Sequence, residues 1–137
     1  MADGKSLLVK SWLAKANNDL HAARTLSGSP DRLLDVAVYH CQQAAEKAIK
    51  GYFVLRDARF TKTHDIGDLV SMARAIDSGF DQWQDAADLL TPYATSYRYP
   101  GESVEPTAEE YQRAFSAAQG IFDFILSLMP RESQPSE

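Results

Sequence analysis

Residues 31–56 read DRLLDVAVYHCQQAAEKAIKGYFVLR, and the fold follows from the spacing within this stretch. Leu34, Val38, Cys41, Ala45, Ala48, Tyr52 and Leu55 recur at intervals of four and three, which is the period of one apolar seam along a long helix. Beside the seam run Ala37, Ala44 and Gly51, a row of small residues against which another helix can pack closely. A third face is polar. At about 100° per residue, His40, Gln43, Lys47 and Lys50 share one strip, offset from the seam by more than a right angle.

The flanking sequence continues the helical pattern. Residues 6–26 carry Leu8, Trp12, Leu13, Ala16, Leu20 and Ala23 at helical spacing and predict a first long helix. Ser27-Gly28-Ser29-Pro30 ends it, with Pro30 suited to the first position of the next helix. After a polar connection at 57–63, a short helix is expected over 65–76, with Ile66, Leu69, Val70 and Ala73 inward. Asp77-Ser78-Gly79 breaks it. Phe80, Trp83, Ala86, Ala87 and Leu90, extended by Tyr93 and Tyr97, mark a fourth helix that Pro92 should kink or divide. Residues 99–106 read as a loop. Thr107 and Glu110 form a capping box that opens a last helix to about residue 128, with Tyr111, Phe115, Ala118, Phe122 and Ile125 inward. No strand pattern competes. The expectation is an all-α, up-and-down bundle of four or five helices with two long N-terminal helices. It forms a single domain over 1–128, followed by a disordered tail at 129–137.

Composition narrows the function. A chain of 137 residues with one cysteine is one domain without an internal disulfide or a Cys-based zinc site, and the cytosol is the expected compartment. It contains no apolar run of about 18 residues to span a membrane. With 14 basic against 19 acidic residues, the net charge is -5. That balance argues against general coating of DNA or RNA, which draws on Lys and Arg placed at phosphates.

Three places do not fit a plain bundle. An imidazole, an amide and two ammonium groups on the His40, Gln43, Lys47 and Lys50 strip could grip a phosphate, a base or a partner's carboxylates, or could simply form a solvated helix face. In Thr63-His64-Asp65, Thr63 reads as a helix N-cap and Asp65 as a favourable first-turn charge, which leaves His64 unexplained. Tyr97-Arg98-Tyr99-Pro100 combines stacking with bidentate anion binding, although Arg98 could instead cap the carbonyls of the preceding helix. The three histidines are never three or four apart, and no Gly-rich phosphate loop occurs, so no metal or cofactor is expected. Cys41, on the buried seam, reads as a core residue.

Together these blocks resemble a known family. Trp12-Leu13-x-x-Ala16-x-x-Asp19-Leu20-x-x-Ala23, then His40-x-Gln42-Gln43-Ala44-Ala45-Glu46-Lys47-Ala48-Ile49-Lys50, then Thr63-His64-Asp65-Ile66-x-x-Leu69 and Arg98-Tyr99-Pro100 are similar in order and spacing to the HEPN (higher eukaryotes and prokaryotes nucleotide-binding) domain. The resemblance spans about residues 11–128. It implies a homodimer with a cleft facing a nucleotide or RNA. It also implies a frequent partner, a minimal nucleotidyltransferase, in a toxin–antitoxin pair; the length suggests that any such partner is a separate chain. Many members are metal-independent ribonucleases carrying Arg-x4-6-His. Arg59-x4-His64 has that spacing, but Phe60 stands where the pattern has a polar residue, and no His follows Arg98. The resemblance therefore implies a non-catalytic module that binds a nucleotide or partner through His40, Gln43, Lys47, Lys50, His64, Asp65, Tyr97 and Arg98. The alternative is a ribonuclease toxin using Arg59 and His64.

Overall fold

The computed structural model describes residues 3–101 and 105–135. The described chain is helical throughout: α1 (Gly4–Gly28), α2 (Leu34–Leu55), α3 (Ile66–Arg74), α4 (Gln84–Leu90) and α5 (Ala108–Ser127), with short 3-10 helices at Ser78–Trp83, Thr91–Ala94 and Arg131–Ser133. The helix α2 is central. It packs along α1, against α5 and against α3, so few of its faces are left to water.

Local chemistry sets the boundaries. The Asp3 carboxylate accepts from the Ser6 amide at 2.8 Å and starts α1. The buried stripe of α1 is Val9, Leu13, Ala16, Leu20 and Ala23, one residue out of register at its start from the expected one. Leu8 is 51% exposed while Val9 beside it is fully buried, so Val9 takes the inward position. Pro30 does not open α2. The chain makes a further turn through Arg32, whose φ is 46°, and α2 begins at Leu34. The cap of α3 is Asp65 rather than Thr63: the Asp65 carboxylate accepts from the Asp68 amide at 2.9 Å, and Thr63 Oγ1 accepts from the Asp65 amide at 3.0 Å. The fourth helix is broken more than Pro92 alone required. A 3-10 segment precedes α4, and a second one, containing Pro92, follows it. The capping box is present, with Thr107 and Glu110 exchanging bonds of 3.0 Å. Past α5, Met129 is buried and Arg131–Ser133 turns back towards α1, with Ser133 fully buried.

The core combines a cluster of aromatic rings with a row of small residues along α2. Tyr52 and Phe80 pack at 4.9 Å between ring centres, and Phe80 meets Phe124 edge-on at 5.0 Å. Ala37, Ala44 and Gly51 are all buried. A Cβ on Gly51 would lie 3.0 Å from Trp12 Cβ, so the small-residue row brings α1 close within the chain and is not a surface for a second copy. Enlarging the row should strain this contact. Ala44→Leu is expected to lower stability by about 1–3 kcal/mol, the usual effect of overpacking. Urea unfolding followed by circular dichroism checks this, and a variant as stable as the parent would refute the packing account.

Candidate functional site

The polar strip of α2 is organised by two buried carboxylates. Asp19, on α1, accepts from His40 Nδ1 at 2.8 Å and from Lys47 Nζ at 2.7 Å. Glu46, on α2 itself, accepts from His64 Nδ1 at 2.9 Å, Lys50 Nζ at 3.0 Å and Gln42 Nε2 at 3.0 Å. Gln42 Nε2 also donates to the His64 carbonyl at 2.9 Å, and Gln43 Nε2 donates to Gln42 Oε1 at 2.7 Å. Each carboxylate thus holds one imidazole and one ammonium. The first cluster ties α1 to α2, and the second ties α2 to the chain just before α3.

Position explains both clusters. Asp19 lies three residues after Ala16 and four before Ala23, so it occupies the buried stripe of α1. Gln42 and Glu46 lie one turn apart on α2 and are also buried. A buried carboxylate needs compensating donors, and the strip residues supply them. The strip is therefore largely committed inward and is not the open cationic surface that the spacing allowed. A carboxylate can only accept, so the neutral form of each ring donates from Nδ1 and presents Nε2 on its far side. For His64 that side is wet: its side chain is 73% exposed, against 7% for Glu46.

Next to the first cluster lies a cavity of about 190 Å³ lined by Asp35, Val36, Tyr39, Tyr97 and Arg98. The Arg98 guanidinium carbon sits 4.5 Å from the Tyr39 ring centre and 5.7 Å from that of Tyr99. Arg98 Nη1 donates to the Ala94 carbonyl at 3.0 Å, so the capping role and the stacking role coexist. The Tyr39 ring meets that of His40 edge-on at 5.7 Å, which joins the cavity to the strip. Tyr97 adopts φ 67°, a left-handed conformation that costs a bulky residue energy. Its ring stacks on Tyr93 at 6.2 Å.

The expected residues thus divide. His40, Gln43, Lys47, Lys50 and His64 belong to the two clusters, and Tyr97 and Arg98 line the cavity. Asp65 stays with α3, capping it beside a separate depression that contains Asp68 and Asp88. Arg59 is exposed and has no side-chain hydrogen bond, ion pair or ring contact with a described residue, His64 included. The sequence reading missed Asp35 and Tyr39, and gave no site role to Asp19, Gln42 and Glu46. Cys41 is buried, and burial pushes its thiol up to about 12, as fits a core residue. Among the described residues, no group of His, Cys, Asp and Glu is placed to hold a metal ion. No described helix is long and apolar enough to cross a membrane.

The pattern of the HEPN domain matches residues 9–128. The chain belongs to the HEPN family. Among solved structures, TT1696 from Thermus thermophilus superposes with a TM-score of 0.72 at 28% identity, covering 88% of this HEPN chain and 98% of TT1696. ST0689, an archaeal HEPN homologue, superposes with a TM-score of 0.68 at 22% identity, over 88% of this chain and 96% of that one, and so shares the fold. No curated protein matches the chain.

The Glu46 cluster has an acid signature. Burial alone would raise its carboxyl, but the bonds from His64, Gln42 and Lys50, with the Lys50 charge, outweigh burial and hold it below the ordinary 4.5. The stability it contributes is complete above that ordinary value and is lost as pH falls through the lower folded value. Unfolding midpoints measured down from pH 6 should therefore fall more steeply below about pH 4.5 in the parent than in Glu46→Gln. Parallel curves would show that the cluster stores no such energy.

Proposed function

We propose that this HEPN chain is a non-catalytic nucleotide-binding module that acts as a homodimer with a separately encoded minimal nucleotidyltransferase, as in toxin–antitoxin pairs. The observation that carries the proposal is the cavity at Tyr39 and Arg98, which opens beside the His40–Lys47 strip. A base entering the cavity meets aromatic walls and a guanidinium. Its phosphate then extends along α2, where Lys47 keeps N–H donors beyond the one taken by Asp19. From Tyr39 to Lys47 is eight residues, about 12 Å of helix, a span suited to a single nucleotide rather than a polymer. Leu7 and Leu8, 55% and 51% exposed at the start of α1, support an interface there.

Nucleotide binding predicts stabilisation. In a thermal-shift titration, a bound nucleotide at 100 times its Kd adds about 2.7 kcal/mol, and Arg98→Ala should abolish the shift. No shift with any ribonucleotide at millimolar concentration would refute the proposal. Light scattering should give twice the chain mass, and a monomer would remove the dimer from it.

The ribonuclease reading has one observation in its favour. Glu46 holds His64 by Nδ1, which leaves Nε2 able to take or give a proton. Against it, Arg59 makes no contact with that ring. RNA incubated with the protein in EDTA should stay intact; cleavage that His64→Ala abolishes would replace the non-catalytic reading.

A further inference from the structure

We infer that the Tyr39–Arg98 cavity selects guanine among the nucleobases, an inference that rests on the nucleotide-binding reading and specifies its ligand. The cavity walls carry opposite charges that do not meet. Asp35 and Arg98 both line it, yet they form no ion pair, and the Asp35 carboxylate accepts no hydrogen bond from any described side chain or amide. Arg98 commits one N–H to the Ala94 carbonyl, so most of its fork remains for a ligand. Asp35 can only accept, and Arg98 can only donate.

A planar ligand that satisfies both must offer paired donors on one edge and paired acceptors on another. Guanine does so. N1–H and the N2 amino group lie side by side and match a carboxylate bidentately, while O6 and N7 match a guanidinium bidentately. Adenine presents no adjacent pair of ring and amino donors. Uracil has one N–H between two carbonyls once its sugar is attached. Cytosine has a single amino group, which leaves the carboxylate with one partner.

The remaining walls suit a flat ring held in one orientation. Val36 and Tyr39 supply apolar and aromatic surface one helical turn apart on α2. Tyr97 lines the cavity in a left-handed conformation, with its ring stacked on Tyr93. Held strain of this kind concentrates at binding sites.

Calorimetric titration of the full chain with GMP, AMP, CMP, UMP and XMP tests the inference. GMP should bind on the order of 10-fold or more tighter than AMP, the discrimination that one bidentate pair provides. Asp35→Asn should move the preference to XMP, because the amide can donate to the carbonyl that replaces the N2 amino group while still accepting from N1–H. Asp35 is half-buried in the first turn of α2 and supports no other described group, so the variant should fold, which circular dichroism verifies. Equal affinities for GMP and AMP, or an unchanged preference in Asp35→Asn, would overturn guanine selection and leave nucleotide binding standing. Binding of none of the five would overturn both.

Discussion

A carboxylate removed from water has to be answered by donors, and in this bundle Asp19 and Glu46 impose that requirement on the central helix. Each draws an imidazole and an ammonium inward. The consequences reach well beyond the two residues. These bonds join α1 to α2, hold the chain ahead of α3 against α2, and orient both histidine rings. Removing Asp19 would leave His40 and Lys47 without their partner, and removing Glu46 would do the same to Lys50 on α2 and to His64 ahead of α3.

This arrangement changes what the cationic strip can do. Lys47 and Lys50 are partly neutralised from behind, so the strip carries less outward charge than its sequence suggests. A polymer held by charge would bind such a surface poorly. A ligand recognised by shape, stacking and a few directed hydrogen bonds is better matched, and the adjoining cavity supplies those features at Tyr39, Tyr97 and Arg98. The fold around it is that of the HEPN family, shared with TT1696.

The bundle was legible because its signals are local. The three- and four-residue spacing in α2, the Thr107–Glu110 box and the break at Pro92 each act within one or two turns. Register at the start of α1 was less legible: Leu7, Leu8 and Val9 are all apolar, and only the partner helix decides that Val9 is the buried one. The strip on α2 is legible as a face, but the two buried carboxylates that draw on its cations are not. By spacing Asp19 falls on the apolar stripe of α1, whereas Gln42 and Glu46 lie off the α2 seam and are buried where the chain before α3 bonds to them. Nothing local could have paired Asp35 with Arg98. The return of the chain after α4 brings them to the walls of one cavity, and the left-handed turn at Tyr97 that completes it has no glycine to announce it.

If the buried carboxylates set the state of the histidines, the tautomers of those rings report it directly. Long-range proton–nitrogen correlation spectra of the neutral rings should show His40 and His64 protonated at Nδ1, while His21, which has no such partner among the described residues, follows the ordinary solution preference for Nε2 protonation. Nε2 protonation at His40 or His64 would mean that the carboxylate does not hold that ring, and the account of the site built on it would fail.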